Sequence, residues 1–202
     1  MSYDRPMISR IPLFLLLPLL LTACLTTSPP ASFYVLTPLA QPRSVQLPDM
    51  LVGVGPVNLA DYLDRSQLVS RSSNVSLRLD EFNRWAGGLD RNVTQVLADN
   101  LSRLMGIDGV LAYPWSSAID LDYQVVLDIS RFDFGPDHKV VLDVQWQLFD
   151  QRRRKLVQVR RGHFEVPSPD GSQAAMVQGQ SEALARLSES LAQAIESVAA
   201  NE

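Results

Sequence analysis

Three apolar–polar patterns with a period of two lie in the second half of the chain. They run over about Tyr123–Phe134, Lys139–Phe149 and Lys155–Val166. In the middle segment every second residue is apolar, as in a strand with one buried face; these residues are Val140, Leu142, Val144, Trp146 and Leu148. The connections Gly135–His138 and Asp150–Arg154 are short. Because short connections require antiparallel neighbours, the pattern predicts a three-stranded meander.

Two further segments carry apolar residues at the three-and-four spacing of an amphipathic helix. The first runs from about Leu89 to Met105, and its apolar stripe comprises Leu89, Val93, Val96, Leu97, Leu101 and Leu104. Gly106 follows at the position expected of a helix end. The second runs from about Gln173 to Ala200, and its stripe comprises Val177, Leu184, Leu187, Leu191, Ala194 and Val198.

Shorter strand patterns precede the first helix, at Phe33–Leu36, Leu51–Val57, Gln67–Arg71 and Asn74–Leu79. Residues 58–65 between them predict a turn or a single helical turn, and a change of phase around Gly162 predicts a β-bulge in the last strand. The order of elements predicts an α+β fold: a largely antiparallel sheet that includes the C-terminal meander, with two main helices packed on it.

The N-terminus has the pattern of a bacterial lipoprotein signal. A weakly basic head precedes an apolar run of eleven residues, Ile11–Leu21, whereas a helix that crosses a bilayer needs about 20. Leu21-Thr22-Ala23-Cys24 resembles a lipobox, in which the cysteine is acylated and the signal is cut before it. The alternative is an ordinary signal that contains a cysteine, but Cys24 is the one cysteine in the chain.

These features predict a signal peptide over residues 1–23, a lipidated tether over residues 24–32 and a single α+β domain over residues 33–202. The only prosthetic chemistry expected is the diacylglycerol and N-acyl chain on Cys24. Leu25 follows the cysteine; an aspartate there favours inner-membrane retention in enterobacterial lipoproteins, so by resemblance this one is sorted to the outer membrane, where its domain faces the periplasm.

Composition and motifs favour a non-enzymatic protein. The net charge is −4, and no basic stripe of the kind that binds nucleic acid is present in the sequence. The two histidines, His138 and His163, accompany neither a serine-hydrolase motif nor a metalloprotease motif. Trp85 is a candidate interface anchor because large aromatics dominate binding hot spots, with burial in the core as the alternative.

Several short motifs, in this order and spacing, resemble the ABC-type transport auxiliary lipoprotein family. They are Phe33–Leu36, Val52–Pro56, Tyr62–Arg65, Leu68 and Val69, Arg71, Arg84 and Trp85, and Val96–Leu101. The resemblance implies a non-enzymatic component that works with an MCE-domain protein, and in many systems with ABC transporter subunits, to move lipid between two membranes. It also implies assembly into homo-oligomeric rings.

Two other functions remain open at this point: a periplasmic hydrolase that acts on envelope lipid, and a structural or assembly lipoprotein. Tyr62, Arg65 and Arg71 carry the resemblance and are polar enough for a surface. They are therefore the candidate residues for a partner interface. The alternative is that Tyr62 is a packed aromatic and that the two arginines are structural ion-pair partners.

Overall fold

The computed structural model describes residues 29–43, 49–168 and 170–200. The signal peptide and Cys24 lie outside the described residues, and the lipobox stays a prediction. From Ala31 onward the chain forms one compact unit.

In the described part of the chain, eight strands form a mixed sheet on which two helices pack. The strands are β1 (Ser32–Tyr34), β2 (Val52–Leu59), β3 (Gln67–Ser73), β4 (Ser76–Trp85), β5 (Val110–Ala112), β6 (Tyr123–Phe134), β7 (Lys139–Asp150) and β8 (Lys155–Pro167), and the helices are α1 (Leu89–Met105) and α2 (Gln173–Ala199). Neither helix combines the length and the apolar character that a bilayer crossing requires.

The predicted meander and the α+β class are confirmed. β6, β7 and β8 pair antiparallel in sequence order and carry the longest registers of the sheet. The N-terminal strands extend the sheet through parallel pairings, since β2 lies beside both β5 and β6, and β1 lies beside β4. β7 lies on one side of β6, and two strands share the other side. There β2 pairs with the first part of β6, and β3 reaches β6 only at Phe134.

The core lies between the helices and one face of the sheet. α1 packs on β2 and β5, whereas α2 packs on β6, β7 and β8. The predicted stripes supply the contacts: Leu97 and Leu101 of α1 and Leu187 of α2 are fully buried. α1 ends where predicted, since Gly106 adopts a left-handed conformation with φ 65° and donates its N–H to the Ser102 carbonyl.

The predicted bulge at Gly162 is wrong. Gly162 lies in regular register opposite Val144. The bulge of the last strand lies four pairs of residues further on, at Val157, which is inserted between Gln158 opposite Leu148 and Leu156 opposite Phe149. A Cβ at position 162 would lie 2.6 Å from Cε2 of Phe164 and 3.3 Å from Cγ1 of Val144. The glycine makes room for an aromatic ring on the same strand, whereas the change of phase in the sequence follows from the residue inserted at Val157.

Two other departures concern the edges of the sheet. β5 was not predicted, because three residues are too few to show a period. β4 continues to Trp85, beyond the predicted end at Leu79. The alternation of Val75, Leu77 and Leu79 correctly predicted a strand, but these side chains are 92%, 40% and 38% exposed rather than buried.

Candidate functional site

The turn of residues 60–66, which joins β2 to β3, positions two of the predicted interface residues. β2 ends beside β6, and the Ala60 N–H donates to the Ile129 carbonyl at 2.9 Å. The Leu63 N–H then donates to the Ala60 carbonyl at 2.8 Å, and the Leu63 side chain is 2% exposed in the core. The turn is therefore held at its start and at its middle, and it carries Tyr62 and Arg65.

A buried carboxylate lies next to this turn because β6 contains an extra residue. The register of β6 against β7 shifts between Ile129 and Arg131. Ile129 faces the helices, and beyond the shift Phe132 takes that side of the strand. Arg131 and Asp133 consequently lie on the opposite, open face of the sheet. The sequence holds a signal for this shift, since the apolar positions change from odd to even numbers along β6.

Asp133 joins three side chains from different parts of the chain. Its Oδ2 accepts hydrogen bonds from the Tyr62 hydroxyl and from Nε of Arg71, both at 2.8 Å, while its Oδ1 accepts from Nε of Arg131 at 2.9 Å. The Arg71 guanidinium also lies over the Tyr62 ring, 5.5 Å from its centroid. The Asp133 side chain is 0% exposed, against 20% for Arg71 and 29% for Arg131.

The electrostatics of this cluster hold Tyr62 as a neutral donor. Burial raises the pKa of Tyr62 to about 12, and the hydrogen bond and the charge of Asp133 act in the same direction, against the smaller opposing effect of Arg71. Burial by itself lowers the pKa of Arg71, but its bonds to Tyr62 and Asp133 outweigh this, and the pKa is raised. With both pKa values raised, Tyr62 stays neutral and Arg71 stays charged near neutral pH, and the arrangement is suited to holding a turn rather than to proton transfer.

The structure separates the four interface candidates. Tyr62 and Arg71 belong to the Asp133 cluster, which matches the alternative of a packed aromatic and an ion-pair partner. The Trp85 side chain is 5% exposed and lies in the core, and the backbone N–H of Trp85 donates to the Ser66 carbonyl at 2.7 Å. Arg65 differs from the others: it is half-buried, and its Nε has no hydrogen-bond partner among the described residues.

A second polar cluster lies on the open face of the meander around His163. The ring Nδ1 lies 2.5 Å from Oδ1 of Asp143, and Nε2 lies 3.4 Å from Oε1 of Glu165, which also binds Lys139 at 2.6 Å. The hydrogen bond with Asp143 raises the pKa of His163 above its ordinary value, and the Asp143 charge adds to this. The nearby Ser130 hydroxyl donates to the Asp143 backbone carbonyl at 3.3 Å.

In both clusters the charged side chains are engaged with one another. Both ring nitrogens of His163 are paired with carboxylates, and the nearby Ser130 hydroxyl donates to a backbone carbonyl. Within the ranges that the structure covers, no group of three or more histidine, cysteine, aspartate or glutamate side chains is arranged to hold a metal ion.

Asp133→Asn is expected to lower the free energy of unfolding by about 2–3 kcal/mol, because it removes the charge that two arginines share. This cost is smaller than for a fully buried pair, since both arginines retain access to water. Urea denaturation measures the effect. Asp128→Asn on the same strand is the control: Asp128 accepts a hydrogen bond from exposed Asn58, and the loss of its charge should cost less than about 1 kcal/mol. Equal stability of the two variants would contradict the structural role of Asp133.

The fold and the sequence together identify the class of protein. The model of a family described as the ABC-type transport auxiliary lipoprotein component matches residues 34–192. The chain belongs to this family, which confirms the resemblance found in the sequence. It is therefore a lipoprotein-type auxiliary component of ABC-type transport.

Solved structures share the fold. One, described as an uncharacterized protein, is 26% identical with a TM-score of 0.66, and the match covers 83% of this chain and 99% of that one. A protein from Xanthomonas campestris is 16% identical with a TM-score of 0.66, covering 79% and 92% of the two chains. A hypothetical protein from Chlamydia trachomatis is 11% identical with a TM-score of 0.50, covering 76% and 100%. No curated protein matches the chain in sequence.

Proposed function

We propose that this protein is a non-enzymatic lipoprotein of an intermembrane lipid transport system, and that it supports the integrity of the cell envelope. Anchored to the outer membrane through Cys24, its domain faces the periplasm and docks an MCE-domain protein, which works with ABC transporter subunits. Membership of the auxiliary lipoprotein family supports the transport role. Leu25 after the lipobox cysteine supports the outer-membrane location.

The observation that carries the docking role is the state of Arg65. Its turn is held in place by Leu63 and by the bond from Tyr62 to Asp133. The Arg65 side chain is half-buried on an immobilised turn, and its enclosed Nε has no partner within the described residues. A carboxylate of the partner would bind the part of the side chain that stays accessible, and little conformational freedom would be lost on binding. Arginine also suits such a contact geometrically, since it binds a carboxylate through two parallel hydrogen bonds.

Assembly of several copies into a ring would strengthen such a contact. Each copy would present its Arg65 turn to the same elongated partner, and linked sites bind more tightly than single ones without any new contact. This part of the proposal follows from the family resemblance, and the docking role does not depend on it.

The hydrolase alternative has less support. A serine hydrolase needs a histidine that can accept the proton of its serine. Here His163 is engaged by Asp143 and Glu165, and Ser130 donates to a backbone carbonyl. Both side chains belong to a network of hydrogen bonds and ion pairs on the open face of the sheet.

Arg65→Glu is expected to abolish co-purification with the MCE-domain partner while the domain stays folded. Reversal of the charge in a desolvated ion pair costs about 2 kcal/mol or more, which weakens the affinity about thirty-fold. The measurement is affinity capture from solubilised membranes, combined with a thermal denaturation curve of each variant. Arg65→Lys should bind more weakly than the wild type but better than Arg65→Glu, because lysine keeps the charge and loses the paired hydrogen bonds.

Arg154→Glu provides the matched control, since it makes the same change of charge at an exposed position. Arg154 lies in the β7–β8 turn, directly before Lys155, and Lys155 pairs with Asp150 beside the start of β6. The Arg65 turn follows β2, which ends beside Ile129 further along β6. Wild-type capture by a folded Arg65→Glu variant would refute the docking role of Arg65. Equal loss of capture in both variants would show that the total charge matters rather than the site.

A further inference from the structure

An exposed apolar surface follows β1 and β4. Its large apolar side chains retain between 38% and 92% of their accessible area; they are Phe33, Val35, Val75, Leu77, Leu79 and Phe82. We call these six residues the apolar hairpin surface. Single exposed apolar residues are common on soluble proteins, whereas a group that continues along adjacent strands marks a binding surface for protein or lipid.

The register places members of this surface on one face of the sheet. Leu77 lies opposite Arg71, and Leu79 lies opposite Val69. Phe33 of β1 pairs with Arg84, next to the pair of Tyr34 and Trp85, which both pack in the core. Paired residues of neighbouring strands share a face, as do alternate residues of one strand. Phe33, Leu77 and Leu79 therefore point to the face opposite the helices.

The apolar hairpin surface lies close in sequence to Cys24, and this position indicates that it contacts the membrane. Phe33 follows the lipobox cysteine by 33 − 24 = 9 residues. Even fully extended, a chain of this length spans at most about 30 Å. A domain of this size has a radius of gyration of about 16 Å. The greatest reach of the tether is thus about twice that radius, and β1 stays close to the bilayer that holds the lipid.

We infer that the apolar hairpin surface lies against the membrane leaflet that anchors Cys24, with its side chains in the interfacial layer of the lipid. The inference rests on the lipidation that the proposed function includes. Two contacts with the bilayer, a lipid anchor and a strand face, define the orientation of the domain, whereas the anchor alone leaves it free to rotate on its tether. A defined orientation matters for a docking protein, because the Arg65 turn then points in one direction relative to the membrane.

The charges of β4 indicate that the contact is apolar. The strand carries two arginines and two acidic residues: Arg78, Arg84, Asp80 and Glu81. Since their charges cancel, attraction to anionic headgroups contributes little, and the association should persist at high salt. A contact based on basic residues would instead weaken as salt rises.

The test uses the lipidated full-length mature protein in vesicles of phosphatidylethanolamine and phosphatidylglycerol. Acylation consumes the thiol of the one native cysteine, so an introduced cysteine is a unique labelling site. Val75→Cys, at the hairpin tip, carries the environment-sensitive fluorophore NBD. Glu189→Cys, exposed on α2 across the sheet, is the matched control. The expected result is a blue-shifted emission and quenching by doxyl-labelled lipid for position 75 alone, both unchanged at high salt.

A second variant ties the signal to the surface. Serine substitution of Leu77, Leu79 and Phe82 together should remove the blue shift and the quenching at position 75 and leave acylation and vesicle binding intact. The inference is overturned if, in protein anchored to the vesicles, the NBD emission at position 75 shows the same exposure to water as the emission at position 189. The label at position 75 could instead be shielded from water only at high protein concentration or with added partner, and without quenching by lipid. That result also overturns the inference and assigns the surface to a protein interface.

Lipidation is checked in the same experiment. Wild-type protein that stays in the supernatant and takes up the label at Cys24 would refute the lipoprotein assignment, and with it the premise of the inference. Protein that binds vesicles and resists labelling at Cys24, but keeps position 75 in water, refutes the membrane contact alone.

Discussion

Cys24→Ser is expected to abolish fatty-acid attachment and signal cleavage completely. The cysteine sulfur carries the diacylglyceryl group as a thioether, and serine offers only a hydroxyl, which is a far weaker nucleophile. Each buried methylene contributes about 0.8 kcal/mol to membrane binding, so loss of several chains removes the stable anchor. Metabolic labelling with palmitate and the mass of the purified chain measure both effects.

Ser28→Ala, in the same tether, is the control, and it should label and mature as the wild type does. Normal palmitate incorporation into the Cys24→Ser variant would contradict the lipobox assignment. Fractionation of the wild type tests the location separately: recovery with inner-membrane vesicles would contradict the outer-membrane proposal without affecting lipidation.

Trp146→Ala is expected to lower the free energy of unfolding by about 3–5 kcal/mol, because it empties the largest side-chain site of the β7 core face. Trp146 is 2% exposed and lies between Leu127 of β6 and Arg160 of β8 in the register. For a domain of this size the loss corresponds to a decrease in Tm on the order of 10 °C. Urea and thermal denaturation of a chain that begins after Cys24 measure it.

Val159→Ala is the matched control on the neighbouring strand. Val159 is 51% exposed, and its truncation opens no cavity, so the expected cost is below about 1 kcal/mol. An unchanged Tm for Trp146→Ala would mean that α2 does not pack on this face of the meander.

Local periodicity explains which elements were predicted correctly. The meander and both helices have apolar residues at the spacing of their own secondary structure, so a window of about twelve residues contains the information needed. Gly106 is a similar case, because a helix end is specified by its own sequence. The order of these elements was enough for the α+β class. The lipobox is likewise a continuous motif around Cys24, and it stays a prediction.

The charged cluster could not be derived from the sequence in the same way. Asp133 binds Tyr62 and Arg71, which lie 71 and 62 residues away along the chain. Only the shift in register of β6 turns this aspartate toward them and away from the helices. The family motifs selected Tyr62 and Arg71, but not the carboxylate between them, because motif spacing contains no information on which strand becomes a neighbour.

The sequence by itself determined the periodic elements, the class of fold, the family and the predicted site of lipid attachment. Tertiary structure decided which apolar faces are covered: β7 and β4 both alternate, yet Val144 is buried beneath the helices and Leu79 is exposed. It also decided that Arg71 is held by a carboxylate, whereas Nε of Arg65 has no partner among the described residues. The physical reason is that secondary structure depends on neighbours in sequence, whereas burial and ion pairing depend on neighbours in space, which the pairing of distant strands brings together.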